Sequence, residues 1–433
     1  MNKLKVMSVW VFCIMLIALL AACGGGQGTQ GGKATITVMT WESAETNTAI
    51  DKALQQFMKD NPDIVVQRID TPSTNYGDKL ASLILAKKLP DLFWCGNDTE
   101  QQYTSQGLLY DYAPKLKGSQ GANFSGSNFV PAALTNWTAA NGQMGGLPSL
   151  MNTYGIWYNA DAFEKAGLTL PAQGWTWDQL FSDAQKLKSG NDYGLVADSL
   201  TANDGPFTMS EYALSAGGQP LADKINYPTK VTVDSVYTEG VSKLAAAVQN
   251  GSVAPPGYVS TNATSAFSTG KLPMLMGGQW LAANFLTDKP TIKFGFAPLP
   301  IQKNAATLYD AVGICTPGYT KNPDAAWKAM QFLDSTLWES VLTSSPVAPT
   351  AYKPASTSYF NALKSAGMDS VVSTVNYTLD TPTVSGVRFT TVWASKAADV
   401  ITAYWPDILK GKKPISALQT MADQLNGLIQ SNS

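Results

Sequence analysis

The chemistry in this 433-residue chain rests on a few acids and many aromatic rings. Glu42, Asp98, Glu211 and Asp310 are carboxylates that could converge on one site, as could the rings of Trp41, Tyr154, Trp280 and Trp393. Asn97, Asn152, Gln279 and Arg388 complete the candidate set. Two facing carboxylates could cleave a bond by acid–base work. Flat rings beside amides, acids and a guanidinium could instead hold an uncharged polar ligand, by stacking and paired hydrogen bonds. The chain has no histidine. That excludes histidine triads, histidine general bases and histidine metal ligands. It also predicts that binding changes little between about pH 5.5 and 8, where no unperturbed side chain titrates.

The candidates share a position relative to the predicted elements. Ala34–Thr40 reads as a strand, and Trp41, Glu42 and Ser43 follow it. An amphipathic helix is predicted from about Asn47 to Asp60, a strand over Ile64–Ile69, a helix from about Tyr76 to Lys88, and a strand over Asp91–Cys95. Gly96, Asn97 and Asp98 follow that last strand. Further strands are predicted at Ile156–Tyr158, Tyr193–Ala197, Leu272–Met276, Ile292–Ala297 and Ala311–Thr316. Helices are predicted at Asn159–Ala166, Thr176–Leu187, Ser235–Gln249, Asn322–Asp334 and Ile415–Ile429. Strand–helix alternation implies α/β architecture with parallel pairing. In open α/β sheets a ligand sits beyond the carboxyl ends of the strands. Gly277, Gly278, Gln279 and Trp280 after one strand fit that rule, and Tyr309 with Asp310 follow a later crossing of the chain.

Composition narrows the class further. The 30 Lys and Arg against 32 Asp and Glu give a formal charge of −2, with no footprint for a phosphate backbone. Hydrophobic residues at 45% suit a globular body, and the length allows two to three domains. Charged residues reach only 14%, so the polar surface is mostly uncharged. The 12 Trp, 17 Tyr and 15 Phe make rings plentiful. Trp157, Trp175, Trp177, Trp327 and Trp338 read as core because they lie within strands or on helix faces. Trp94, inside its strand, reads equally as core or cleft. Glu45 and Asp51 fall on a helix and read as solvated charges.

The N-terminus reads as an address. Lys3 and Lys5 precede an apolar run from Val6 to Ala22, broken only by Ser8. The run is short for a membrane span and ends in small residues, as a secretory signal does. Leu20-Ala21-Ala22-Cys23 resembles the bacterial lipobox, which implies removal of residues 1–22 and diacylation of Cys23. The formal charge then moves from −2 to −4. Residues 24–32, GGGQGTQGG, read as a flexible tether. Only Cys95 and Cys315 remain, a spacing that fits no metal site. Two buried thiols and an extracellular disulfide both stay open.

Several segments carry a more specific resemblance. They are ITVMTWES at 36–43, FMKDNPDIVVQ at 57–67, KLPDLFWCGND at 88–98 and GLPSLMNTYGIWYNADAFEKAGL at 146–168. WTWDQL at 175–180, AFSTGKLPMLMGGQW at 266–280, FGFAPLP at 294–300 and NPDAAWKAMQFL at 322–333 complete the series. In this order they resemble the extracellular sugar-binding proteins of bacterial ABC importers, the family of maltose-binding protein. The resemblance implies a class II periplasmic-binding-protein fold: two α/β lobes, each a mainly parallel sheet flanked by helices, with ligand in the cleft between. It implies a first lobe of 33–145 plus 305–345 and a second of 146–304 plus 346–433. The return strand Ala311–Thr316 would lie near Asp91–Cys95, which could bring Cys95 near Cys315.

The resemblance also implies roles. Trp280 matches the family's sugar-stacking Trp, Asp98 or else Asn97 its hydroxyl-binding acid, and Trp393 a late aromatic platform. The expected ligand set is Trp41, Glu42, Asn97, Asp98, Asn152, Tyr154, Glu211, Gln279, Trp280, Asp310, Arg388 and Trp393. The expected activity is capture of a carbohydrate, an oligosaccharide by preference, and delivery to membrane permease subunits. The protein would be a monomer anchored on the outer face of the cytoplasmic membrane, with no catalysis, cofactor, metal or nucleic acid. A secreted glycoside hydrolase using two carboxylates and a sugar sensor feeding a receptor kinase are the alternatives. A ferric-ion binder would favour a Tyr-Tyr pair, absent here, and a polyamine binder a strongly acidic cleft.

Overall fold

Short β-branched runs alternate with amphipathic helices, and most strand ends, those of β1, β3 and β6 (residues 34–40, 92–96 and 274–278) among them, deliver the chain into a helix start. The computed structural model describes residues 32–71, 73–118, 124–258, 263–381 and 384–432. The expected signal at 1–22 and Cys23 lie outside the described residues, as does the tether except for Gly32. The strands are β1 Ala34–Thr40, β2 Ile64–Asp70, β3 Leu92–Gly96, β4 Gly146–Asn159, β5 Leu195–Val196, β6 Met274–Gly278, β7 Phe294–Pro298, β8 Thr307–Cys315 and β9 Val384–Ser385.

Pairing runs β2-β1-β3-β8-β4-β6-β5, with β7 also on β4 and β9 on β8. The pivot is β4, expected as the short strand Ile156–Tyr158 and found much longer. From Gly146 to Thr153 it pairs with β8. From Tyr154 onward it pairs with β6 and β7 instead. One strand therefore belongs to two sheets, and the partner change at Thr153/Tyr154 marks a passage between lobes. The expected boundary at 146 falls at the start of this strand, whereas the change of partner comes at 153/154. The parallel pairs are β1–β2, β1–β3, β5–β6 and β8–β9. The remaining pairs, all involving β4 or β8, are antiparallel. Both sheets are thus mixed rather than mainly parallel, because chain returning between lobes enters them reversed.

The disulfide left open by spacing alone is present. Cys95 and Cys315 are bonded, with Cα atoms 6.0 Å apart. β3 and β8 run antiparallel with Phe93 opposite Cys315, so the bridge joins neighbouring strands across 220 positions. It ties the returning strand to the first sheet beside the ligand end of β3.

Burial follows the helical faces. Ile50, Leu54 and Phe57 of the helix Ala44–Asp60 are buried in the first core, with Trp94 and Trp338. Trp177, Leu180, Tyr237 and Trp405 lie in the second. Trp157, Trp175, Trp177 and Trp338 are buried as expected, and Trp327 stacks on Tyr112 at 5.4 Å. Asp51 keeps a side chain 45% exposed, as a helix-surface acid should, but it is also ion-paired. Arg68 donates to both its oxygens, at 2.6 and 2.8 Å, which couples the first helix to β2. The helix predicted at Asn322–Asp334 runs as Pro323–Phe332, then a π-turn at Leu333–Leu337 and a further helix at Trp338–Ser344.

Candidate functional site

The first wall of the site is the junction after β1. Ser43 caps the helix Ala44–Asp60 by accepting from the Thr46 N–H at 3.2 Å, so the chain leaves the sheet abruptly at Trp41–Glu42. Asn47 fixes that turn. Its oxygen accepts from the Thr40 hydroxyl at 2.8 Å and its amide donates to the Glu42 carbonyl at 2.8 Å. Tyr76 packs edge-on against the Trp41 ring, centroids 5.0 Å apart. The Trp94 indole N–H donates to the Glu42 carboxylate at 2.8 Å. Trp94 is thus buried core that orients a cleft residue.

The second wall follows β6. Gly277 and Gly278 belong to the strand, and Gln279 and Trp280 leave it. A Cβ on Gly278 would fall 1.7 Å from the Trp280 ring, so only glycine lets the indole fold back over the strand. Tyr154 meets that indole edge-on at 5.5 Å. The floor is the crossing itself: Leu150 and Asn152 of β4, Val312 of β8, and the segment at Val347 and Ala348. Trp41, Glu42, Ser43, Thr46, Trp280 and Asn284 complete a chamber of about 550 Å³. Burial pushes the Glu42 carboxyl up to about 7, although the Trp94 hydrogen bond opposes the shift.

A second, smaller chamber of about 340 Å³ adjoins Arg388. It is lined by Asp98, Gln102, Asn203, Asp204, Phe207, Phe389 and one face of the helix Ala394–Leu409. Arg388 lies 3.6 Å from Asp98 and 3.2 Å from Asp204. Burial alone would weaken its guanidinium, but Asp98, Asp204 and Asp310 push its pKa above the ordinary value. Asp310 stands opposite Asn152 in the β4–β8 ladder and accepts from the Tyr154 hydroxyl at 3.4 Å. Burial raises its carboxyl to about 6, against the lowering pull of Arg388 and an Asn152 hydrogen bond. Burial likewise raises Asp204, and Arg388 opposes the rise. Asp98 follows a strand of the first sheet, whereas Arg388 lies beyond β9, so their pair spans the crevice.

These positions sort the expected ligand residues. Trp41, Glu42, Asn152 and Trp280 line the larger chamber, and Asp98 and Arg388 the smaller. Tyr154 and Asp310 stand at the crossing and connect to both. Four others are placed elsewhere. Asn97 is buried at the start of the helix Asn97–Ser105, so Asp98 is the residue that reaches a chamber. Glu211 is buried inside the helix Gly205–Ala216. Trp393 is buried in the second core against Phe389, centroids 5.1 Å apart. Gln279 is fully buried. It accepts from the Thr153 N–H at 2.7 Å and donates to the Met151 and Val347 carbonyls, which pins the crossing strand at its change of partner. The Tyr309 side chain lies outside the description.

Asp204, Asn284 and Phe389 line the chambers and were not foreseen. Asp204-Gly205-Pro206 carries a helix-start signal, and Asn284 stands one turn after Trp280, so both had a local cue. Phe389 had none. The absence of histidine also misled. Glu42 and Asp310 are carboxylates moved by burial toward the neutral range, so the cleft does contain groups that titrate there. Among the described residues no cluster of three metal-ligating side chains occurs.

A model of bacterial extracellular solute-binding proteins matches residues 40–336. A binding protein of Brucella abortus is 24% identical over 96% of this chain and 98% of its own length. The multiple sugar-binding protein of Streptococcus mutans is 22% identical over 66% of this chain and 67% of its own. Among solved structures, an ABC substrate-binding protein from Listeria monocytogenes in complex with cycloalternan superposes with a TM-score of 0.77. It is 22% identical and covers 92% of this chain and 99% of that one. Maltose-bound MalE3 of T. maritima superposes at 0.74, with 20% identity over 91% of this chain and 100% of that one. The two-lobe architecture is common to these structures and this chain.

Proposed function

The chain belongs to the bacterial extracellular solute-binding protein family, and on that premise we propose that it captures a carbohydrate by closing its two lobes. An oligosaccharide is the preferred cargo, because two rings, Trp41 and Trp280, face one chamber of about 550 Å³ and could each stack on a sugar unit. One observation carries the reading: the half-buried Trp280 indole, laid over Gly278, shares an open chamber with Trp41 and Glu42 from the opposite wall. Rings offer flat apolar surface to the C–H faces of a sugar. Glu42, Asn152 and Asn284 offer hydrogen bonds to its hydroxyls.

Each lobe, taken as 33–145 plus 305–345 and as 146–304 plus 346–433, supplies part of the contacts. Ligand therefore favours the closed form by bridging them. Hydroxyls buried on closure must all be paired, since an unmet polar group costs about 1–3 kcal/mol, and that penalty selects the sugar. The Arg388–Asp98 pair acts as a latch at the mouth of the crevice. Residues 1–22 are a signal peptide. Cys23 is diacylated and holds the protein, as a monomer, on the outer face of the cytoplasmic membrane. The closed complex hands its cargo to an ABC import permease, and the leash raises the effective concentration of that encounter. Hydrolysis is disfavoured because Asp98, Asp204 and Asp310 gather round one arginine and Glu211 is interior.

The test is a thermal-shift and calorimetric screen against mono- and oligosaccharides, with product chromatography. The reading requires a rise in melting temperature with at least one intact sugar. No shift with any carbohydrate, or cleavage of one, would overturn it.

A further inference from the structure

The far end of the first sheet is not engaged by either chamber. β1 and β3 run parallel, and both deliver their carboxyl ends to the cleft at Trp41–Glu42 and Asn97–Asp98. Their amino ends therefore open on the opposite side of the lobe. There lies a hollow of about 600 Å³ whose lining includes Thr35, Lys79, Lys87, Lys88, Tyr319 and Lys321. All four lysines are exposed, as is Lys33 immediately before β1. Among the described residues none of the five takes part in an ion pair.

The single acid among the lining residues, Asp91, offsets at most one of these charges. Asp91 accepts from the Thr37 N–H and hydroxyl at 2.9 and 2.8 Å and from the Thr320 hydroxyl at 2.8 Å. Exposed acids nearby are Asp78, next to Lys79, Asp63, whose carbonyl accepts from the Ala34 N–H, and Asp324, three positions after Lys321, which already pairs with Lys115 at 2.6 Å. A chain of net negative charge thus gathers a positive surplus on one face. Apolar exposure accompanies the lysines. Tyr319 of the lining is 45% exposed, and Leu85, which ends the helix Ser73–Leu85 two residues before Lys87 and does not itself line the hollow, is 87% exposed.

We propose that this hollow binds the anionic phospholipid headgroups of the membrane, and parks the body with its cleft turned away from the bilayer. The inference rests on the lipid anchor at Cys23 argued above. Ten residues lead from Cys23 to Lys33 and span at most about 36 Å, so the start of β1 stays close to the bilayer. The hollow, which includes Thr35, is the face that such an anchor holds nearest. Ammonium groups attract an anionic leaflet within about a Debye length. Leu85 and Tyr319 suit the boundary between headgroup and acyl chain. Parking leaves the cleft open to solvent for capture, and delivery to a permease then requires release and rotation on the leash.

The test uses the full anchored chain, labelled with an environment-sensitive fluorophore at Leu85→Cys or, on the other lobe, at Leu170→Cys. Vesicles are phosphatidylcholine alone or with about 30% phosphatidylglycerol. A blue shift is expected for the label at 85 only, and only with phosphatidylglycerol. About 0.5 M salt should abolish it, as should the combined change Lys79→Glu, Lys87→Glu, Lys88→Glu and Lys321→Glu. That variant should melt like the parent, because all four side chains are exposed. Equal shifts in both vesicle types, equal shifts of both labels, or a signal surviving the four changes would overturn the proposal. Failure to float with pure phosphatidylcholine vesicles would instead refute the anchor. The headgroup site would then stand only if the chain still partitions at least tenfold better into phosphatidylglycerol vesicles, and loses that preference in the quadruple variant.

Discussion

The two chambers of the crevice use opposite chemistry. In the larger, neutral rings and amides line open space, and the one acid, Glu42, is oriented by Trp94 and moved toward neutrality by burial. In the smaller, charges are engaged within the protein, with the single cation Arg388 shared among Asp98, Asp204 and Asp310. The first has unmet stacking surface and invites a ligand. The second has already chosen its partners, and those partners come from both sides of the crevice. Recognition and closure are thus assigned to different residues, and substitutions should separate them.

Trp280→Ala should have the largest effect on binding. Removing the indole takes away the principal stacking surface, worth about 3 kcal/mol or roughly a hundredfold in dissociation constant. The ring is only half-buried, so the melting temperature should stay within about 2 °C of the parent. Calorimetry on the sugar identified by the screen, paired with thermal melting, checks both halves. A variant that binds normally would remove the larger chamber from recognition.

Arg388→Ala attacks the other chamber and should act on stability first. It leaves Asp98, Asp204 and Asp310 without their shared cation, at a cost of about 2 kcal/mol after allowance for the partly exposed guanidinium. The sign with pH is fixed by the raised carboxyls. Asp310 already holds its proton up to about 6 in the folded state, against 3.8 as reference. Loss of the cation extends that penalty to higher pH, so the deficit should be larger at pH 8 than at pH 5. Urea unfolding at the two values measures it. A deficit independent of pH would mean that the arginine contributes packing alone.

Much of this division was legible in the residues, and the exceptions share a cause. Trp41, Glu42, Asp98 and Trp280 were found because strand ends are local features, marked by a β-branched run and a following turn. Gln279 has the same local signature as Trp280, yet its side chain turns inward to bind Thr153 and Val347. Nothing within a few residues distinguishes the two. The length of β4 was hidden for a related reason: all three of its partner strands, β6, β7 and β8, lie more than a hundred positions away, and Pro148 with Gly146 masks the strand pattern. The disulfide needed β8 to fall beside β3, a topological fact that the spacing of two cysteines does not contain. Glu42 and Asp310 took on unusual pKa values from burial, which composition does not report.

Gln279→Ala sharpens the contrast between hinge and ligand contact. It removes an acceptor for the Thr153 N–H and leaves that donor buried, at about 1–2 kcal/mol. The loss should appear in the melting temperature, with a weaker effect on affinity than Trp280→Ala. The reverse ranking would make Gln279 a ligand contact after all.

The smallest expected effect is the pH dependence of binding itself. The free folded protein holds the Glu42 proton up to about 7, against 4.5 as reference. A neutral ligand that fills the chamber excludes more water from this carboxyl and raises its pKa further, so binding takes up a proton. Affinity should therefore be higher at pH 5.5 than at pH 8, by up to about tenfold where the bound ligand moves the Glu42 titration upward by a single pH unit. Glu42→Gln should abolish that slope. For the unliganded protein the same proton works through folding: the Glu42 contribution to stability is lost as pH rises from about 4.5 to about 7, and the variant lacks that contribution to the pH dependence. The melting-temperature difference, variant minus wild type, should accordingly grow from pH 5 to pH 8. A flat affinity profile in the wild type would mean that the ligand's hydroxyls donate to the ionised carboxylate strongly enough to cancel its desolvation. That would make the ionised carboxylate of Glu42, rather than its neutral acid, the form that meets the sugar hydroxyls.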